Sequence, residues 1–586
     1  MENKKVIARI ENLQNLRQKI VSMAPEKALN AILDSAQPAA LIHSFPEEDF
    51  YFLIHEIGLE DSHPLLSLAS DKQWEYIVDL EVWQKDRIEL KSVTRWFDLL
   101  FKLDPDRFIK WFLYRQTQFM EFYLFKNIEV KVREQDQDPS EFGNEFFTYD
   151  DTFYFRFLDD PFQLETEESE SDQTINKDRN AFLSKFFKTL SAFDHITYQK
   201  VLLETCSVIP AETEEEAYRL RNLRLAEKGF LPYEEAIGIY QPLKAEDFEN
   251  QDTKFISTDP DRKLFLPVPF YHSGMLEEEN LFTAALKKIE IHDVIEQIQI
   301  EFAGLCNLII SADLKNIREK EELKSIVKKV GGYLNIGLER LSRDNTVPDA
   351  DHCAVLIRNY PLSNIFKVGY GIALDLKWRA EKWREKSWFE NQGLLLGFWG
   401  EEWLGLLGGL LIKKPLFFDN YKAGVLYREF VSMEDIRATD KVLNEIMVFD
   451  DIFSLMAINP EPVIDRFLTY KNFILTLWAR NYLGLSGQIE PLRLNEFQRL
   501  FDGLWADKKK PYKIRRSMKE SFLSWLSEQT GLTDYEISGK LGHTLENLFS
   551  EIENEYGEVS SKDLDPRYIN LFLIQKKIER KSDENE

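Results

Sequence analysis

The stretch 64-PLLSLASDKQWEYIVDLEVWQKDRI-88 decides how the chain is read. Ser70 stands directly before a run in which Trp74, Ile77, Val78 and Glu81 recur at helical spacing, and Asp71 follows it. A hydroxyl there accepts a hydrogen bond from an orphan amide of the first helical turn, and an early acid suits the positive end of the helix dipole. The same arrangement recurs in 24-APEKALNAIL-33, 45-FPEEDFYFLI-54 and 103-LDPDRFIKWF-112, and far downstream in 458-INPEPVIDRF-467. In these, a first-turn Pro or a capping Asp104 replaces the serine. The four N-terminal units start about 21, 24 and 34 residues apart, the range of helical-repeat proteins.

Trp74 holds the place that Leu29, Phe50 and Phe108 hold in the sister units. A position filled by any large apolar residue is a packing position, so Trp74 is expected in the core. Trp83 has no counterpart. With Asp79, Asp86 and Arg87 near it, Trp83 is expected at the surface, as the centre of a partner-binding site.

Outward from this stretch, the periodicity predicts a mainly α protein. Residues 1–126 read as a right-handed, solenoid-like helical superhelix. At 127–177 the period drops to two: Ile128, Val130 and Val132 alternate with charge, and Asp150 and Asp151 separate two aromatic runs in 145-EFFTYDDTFYFRFL-158. That pattern predicts a small antiparallel β meander. The following 165-ETEESESDQ-173 is expected to be an acidic mobile loop. Residues 178–277 read as a helical middle region with an irregular Pro-containing loop, and 278–586 as an α-helical C-terminal domain ending in a frayed tail.

The composition is that of a globular protein: 44% apolar and 30% charged residues, with aromatics at 13%. A formal charge of −27 opposes non-specific attraction to nucleic acid or anionic lipid. The three cysteines, Cys206, Cys306 and Cys353, are widely separated and form neither a disulfide framework nor a CxxC pair. The charged first twenty residues lack the apolar core of a signal peptide. These features set the expectation of a cytoplasmic protein without a membrane span, a nucleic-acid partner or a cofactor. The most apolar run, 393-GLLLGFWGEEWLGLLGGLLI-412, carries Glu401 and Glu402 at its middle, which is costly in a bilayer. It reads as two short, closely packed buried helices joined near Gly400, with the Gly393/Gly397 and Gly405/Gly409 spacings allowing close helix approach.

Motifs for phosphate binding, nucleophilic serine and zinc-protease chemistry are missing: no GxxxxGK[ST], GxSxG or HExxH occurs. His292 and Glu296 share a helix face but lack a third metal ligand. Asp351, His352 and Cys353 are sequence neighbours, a poor geometry for a catalytic set. No catalytic residue and no metal ligand is therefore assigned. Glu401, Glu402 and His272 are the polar-site candidates, since acids or a histidine in apolar surroundings need a partner or a cleft. The run 508-KKKPYKIRRSMK-519 gathers Lys508, Lys509, Lys510, Lys513, Arg515 and Arg516 into a patch suited to an anion or an acidic partner. After it, 524–551 has a helix–turn–helix rhythm, but Lys540 is the lone base on its second helix.

Two resemblances follow from these residues. The segment 40-ALIHSFPEEDFYFLIHEIG-58 and the stretch quoted first resemble the cytosolic N domain of MgtE-type magnesium transporters, itself akin to parts of the flagellar motor switch protein. That likeness implies a curved helical scaffold. The whole chain is similar to an uncharacterised bacterial cytosolic family, a domain of unknown function, through 73-QWEYIVDLEVWQKDRI-88, 229-GFLPYEEAIGIY-240, 365-IFKVGYGIALDLKWRAEKW-383 and 410-LLIKKPLFF-418. The resulting expectation is a helical scaffold or adaptor that binds a protein partner. A divalent-cation-sensing regulator and an enzyme with a carboxylate-based site are the alternatives.

Overall fold

All four N-terminal repeat starts open helices in the computed structural model: Pro25–Leu33, Glu47–Ile57, Asp71–Glu81 and Pro105–Arg115. The structure describes residues 2–158, 170–254, 269–276, 279–315, 317–342, 349–456, 458, 468–506 and 510–575. The fifth start, 458–467, lies almost wholly outside the described residues, as do Lys508, Lys509 and the 576–586 tail. Ser70 and Gln73 form a reciprocal capping box, and Asp104 accepts from the Arg107 amide at 3.1 Å. The capping chemistry expected from sequence is therefore in place.

The fold is mainly α-helical with small two-stranded antiparallel sheets. It divides into two compact units, Met1–Lys367 and Val368–Glu586, with the boundary inside the Leu362–Arg384 helix. In the first unit, the short helices from Pro25 to Asn127 pack on near neighbours in chain order. Trp74 is fully buried, as are Phe50 and Phe108, while Leu29 is half-buried. The Trp74 indole N–H donates to the Leu66 carbonyl at 2.8 Å, and its ring meets Trp111 edge-on at 6.0 Å. Phe97 anchors the next layer, with ring contacts to Phe108, Trp111, Phe112, Phe119 and Tyr123.

The change of period at residue 127 marks a real sheet. Strands Ile128–Val132 and Phe153–Phe157 pair antiparallel, Ile128 opposite Phe157, and Phe147 adds one bridge to Phe155. Asp150 closes the turn by accepting from the Thr152 and Phe153 amides at 3.0 and 2.9 Å. The helix Glu170–Phe193 starts inside the stretch expected to be a mobile loop and corrects that expectation there, while residues 165–169 lie outside the described part. Acids that disfavour a packed core are well tolerated in a first helical turn. Farther on, His292–Ala312 is long and apolar enough to cross a membrane by composition. It buries Val294, Ile298, Phe302, Leu305, Ile309 and Ile310 within this unit.

In the second unit a 3₁₀ turn, Leu396–Trp399, and the helix Gly400–Leu410 meet at Gly400, whose φ of +74° is left-handed. The close approach at the glycines is made by a hairpin rather than a second helix. Strands Phe417–Phe418 and Tyr427–Arg428 pair antiparallel and lie against the glycine face. A Cβ at Gly409 would stand 2.6 Å from the Leu416 carbonyl oxygen, and one at Gly405 would collide with the Phe418 ring. The Trp403 ring stacks on Tyr470 at 4.3 Å beside buried Trp399, Phe449 and Phe453. The helices Arg516–Thr530 and Asp534–Tyr556 turn at Gly531, φ +72°, matching the rhythm of 524–551.

Candidate functional site

After Glu81 the chain leaves the helix and folds into a hairpin, Trp83 opposite Ile88 and Gln84 opposite Arg87, with Lys85 left-handed at its tip. This placement corrects the expectation for Trp83, which is 8% exposed. Its ring lies 6.0 Å from Phe119 and 5.6 Å from Tyr218, and the Arg221 guanidinium sits 5.4 Å from its centroid. Tyr218 and Arg221 belong to the helix Pro210–Ala226, which packs along Thr117–Asn127. Nothing in the local sequence of Trp83 encodes a cover arriving from more than a hundred residues away.

The neighbours of Trp83 are engaged by the same helix. Asp79, buried, accepts two bonds from Arg224 at 2.8 and 2.7 Å, and its backbone carbonyl accepts from Arg221 at 2.7 Å. Burial raises the Asp79 carboxyl above its ordinary range, against the pull of Arg224. Glu214 accepts from the Ile88 amide at 3.0 Å and from Arg87 at 2.7 Å. Asp86 is exposed. Three of the four residues expected to meet a protein partner thus meet a helix of their own chain.

A second cluster in this unit was not foreseen. The helix Glu47–Ile57 buries Glu48 and Asp49 in its first turn. Asp49 accepts from the Phe270 and Tyr271 amides at 2.8 and 3.1 Å, capping the short helix Phe270–Gly274. Burial pushes its carboxyl up to about 7, although both amides and Arg17 oppose the shift and Glu48 adds to it. Lys228 reaches Glu47 at 2.7 Å and Glu48 at 3.4 Å. Glu81 accepts from Tyr51 at 2.7 Å and pairs with Arg318 at 2.7 Å, with His55 Nε2 3.3 Å away. Burial works to raise Glu81, but the His55 and Tyr51 bonds and the Arg318 charge outweigh it and hold it low. In the sequence 47-EED-49 reads as an ordinary helix start. The aromatic and aliphatic residues on all sides of 50-FYFLI-54 were the available sign that its acids are buried too.

His272 is fully buried. Asn307 donates through Nδ2 to the Lys228 carbonyl at 2.7 Å, so its Oδ1 is oriented as the acceptor for His272 Nε2 at 3.2 Å. Nδ1 then carries the lone pair and has no hydrogen-bond partner. Burial lowers this imidazole to about 4, which keeps it neutral. Beside it, Ser273 borders a cavity of about 170 Å³ whose walls are chiefly Leu276, Phe282, Leu286, Ile298 and Phe302.

Glu401 and Glu402 belong to the second unit, where both are exposed on the first turn of Gly400–Leu410. Both acids face water at the helix break and form no buried acidic site, while Trp403, Gly405, Leu406, Leu407, Gly409 and Leu410 of the same helix turn inward. A buried carboxylate does occur nearby. Asp450 accepts from the Trp388 and Phe389 amides at 3.0 and 2.9 Å and from the Trp383 indole at 3.2 Å. The described part of the basic run is matched by acids of the same unit. Lys513 pairs with Glu553 and Lys519 with Glu546, both at 2.6 Å, and Arg516 with Glu520 at 2.9 Å. Lys510 donates to the Glu558 carbonyl at 2.7 Å and Arg515 to the Trp505 carbonyl.

Exposed His292 lies 3.3 Å from half-buried Glu296, which also accepts from Gln14 at 2.8 Å, and buried Cys353 lies 3.0 Å from the Ser342 hydroxyl. Among the described residues, no group of three or more His, Cys, Asp or Glu side chains is placed to hold a metal ion.

A match to a family of unknown function, DUF6178, runs from residue 5 to residue 575. The chain belongs to this family. No curated protein and no solved structure matches it.

Proposed function

We propose that this protein is a cytoplasmic helical scaffold or adaptor that binds another protein through its first unit. The observation that carries the reading is that adjoining elements of the first unit each leave large apolar side chains exposed. Lys110 lies 5.5 Å from the Phe193 ring, which sets the helix Pro105–Arg115 beside the end of Glu170–Phe193. Around that contact Tyr114 is 71%, Phe193 47% and Ile196 79% exposed. Leu203, two turns beyond Ile196 on the helix His195–Thr205, is exposed as well. Exposed apolar groups that gather, rather than scatter, mark interaction sites.

The chain-order packing of the helices between Pro25 and Asn127 supports a superhelical frame for this surface, which we propose to be right-handed. With it we propose a likeness of 40–58 to the N domain of MgtE-type transporters, whose superhelical frame in repeat proteins presents extended binding faces. An exposed free thiol, Cys206, suits a reducing compartment. The test is affinity capture with mild cross-linking, comparing the native chain with Ile196→Asp/Leu203→Asp. A partner held by the native chain and lost by a variant of unchanged melting temperature supports the reading. Equal recovery by both, or none by the native chain, removes it.

A further inference from the structure

Three helices of the first unit, Phe270–Gly274, Leu281–Lys287 and His292–Ala312, border the cavity of about 170 Å³ beside Ser273. Its floor is apolar. Phe282, Ile298 and Phe302 are buried there, and the rings of Phe282 and Phe302 stack at 5.7 Å. Leu276 and Leu286 stand half-buried at its rim.

A folded interior leaves few voids larger than a water molecule, because each one forfeits dispersion contacts. This one is held open by bonds that its walls make to their surroundings. Asn280 and Thr283 form a reciprocal capping box at the start of Leu281–Lys287, and the Leu281 amide donates to Asn335 Oδ1 at 3.0 Å. Leu276 rests against Gly331, where a Cβ would come within 3.4 Å of its Cδ2. The walls are therefore fixed from behind and do not close on the space.

The lining defines what could fill it. No charged side chain is among the described residues around the cavity. Of the three polar ones, Thr283 is committed to Asn280, accepting from its amide at 2.9 Å and donating to its carbonyl at 3.0 Å. The Ser273 hydroxyl has two long contacts, at 3.4 Å to the Pro269 and Phe270 carbonyls. The half-buried Gln299 amide makes no hydrogen bond among the described residues, and it offers both a donor and an acceptor.

We infer that this cavity is a binding site for one small neutral molecule, an aromatic ring carrying a single hydroxyl. The ring lies on Phe282, Ile298 and Phe302, and the hydroxyl takes the Gln299 amide, with Ser273 beside it. Size follows from volume: a cavity of about 150 Å³ lined by Leu, Ile and Phe holds one benzene, whereas sites for drug-sized ligands start at about 300 Å³. Neutrality follows from the lining, since a carboxylate or ammonium would lose its water and find no counter-charge. The site shares no residue with the exposed apolar surface of Tyr114, Phe193, Ile196 and Leu203, and either stands without the other.

Ligand-observed NMR titration of the full chain with phenol, benzene and benzoate at pH 7 tests it. Phenol is expected to saturate one site with a Kd below about 1 mM. Benzene should bind about tenfold more weakly, because it covers the Gln299 amide without replacing its water, and benzoate should not bind. Gln299→Met keeps the length of the side chain and deletes the amide, so it should bring phenol down to the affinity of benzene. Leu286→Trp fills the cavity from its rim and should abolish binding of both, at an unchanged melting temperature. Absence of saturable phenol binding overturns the inference, as does phenol binding that survives Leu286→Trp in a folded chain. Benzoate or benzene bound as tightly as phenol, or phenol indifferent to Gln299→Met, overturns the assigned chemistry.

Discussion

Asp49 in the first unit and Asp450 in the second solve the same problem with different surroundings. Each is a buried carboxylate that caps a short helix distant in sequence, taking two successive amides: Phe270 and Tyr271 for Asp49, Trp388 and Phe389 for Asp450. Asp450 gains a third donor, the Trp383 indole, inside an aromatic cluster. Asp49 gains none. Its neighbours in sequence are Glu47 and Glu48, and the nearest opposing charge, Arg17, is itself lowered by burial. A buried carboxylate is stabilising to the degree that donors replace its water. Burial raises both carboxyls: that of Asp450 rises against three donors, and that of Asp49, with two, is pushed up to about 7, so Asp49 is the pin with the larger electrostatic penalty near neutral pH.

The largest effect that sharpens this contrast is expected from Asp450→Ala, which leaves three buried N–H groups without an acceptor. Denaturant unfolding should show a loss of ~3 kcal/mol from the second unit. A loss below about 1 kcal/mol would mean that water replaces the carboxylate and that it is no pin. Asp49→Ala should cost less, ~2 kcal/mol at pH 8, because relief of the buried charge offsets two lost hydrogen bonds. An equal or greater cost than that of Asp450→Ala would mean that the buried Asp49 charge carries no larger penalty than that of Asp450.

The pH dependence follows from the same difference. Asp49 is raised from 3.8 to about 7 in the folded chain, so between those values the folded state binds a proton that the unfolded state does not. Stability from this group is lost as pH rises toward 7 and gained as pH falls from 7 toward 4, at ~1 kcal/mol per pH unit. Asp49→Asn should remove that part of the slope, read as the difference between native and variant unfolding curves at pH 5, 6 and 7. Superimposable slopes would place the Asp49 titration elsewhere. The smallest effect is expected from Trp383→Phe, which keeps the ring and deletes the third donor to Asp450, for about 1 kcal/mol or less. A much larger loss would show that the indole N–H, rather than the two amides, is what holds Asp450.

Much of the local structure was legible in the sequence because it is encoded within one or two helical turns. Ser70, Asp104 and the Pro-led starts announce their helices, and the sister positions of Trp74 announce its burial. The period-two run after residue 127 announces the sheet. The candidate site was legible only in part. Asp79, Trp83 and Arg87 were singled out by composition, yet the partner they meet is the chain's own Pro210–Ala226. Gly405 and Gly409 signalled a close approach without telling that a hairpin, not a helix, makes it.

By itself, then, the sequence determined the mainly helical character, the places where the N-terminal helices begin, the core role of Trp74 and the membership of the chain in its family. Caps, periodicity and propensity act between residues a few positions apart, so they survive being read in one dimension. Tertiary structure alone decided which acids are buried, which aromatic is covered, and which charges are already paired. Asp49 meets Phe270 across 221 residues and Asp79 meets Arg224 across 145. Desolvation and ion pairing depend on such distances in space, and the order of residues along the chain does not contain them.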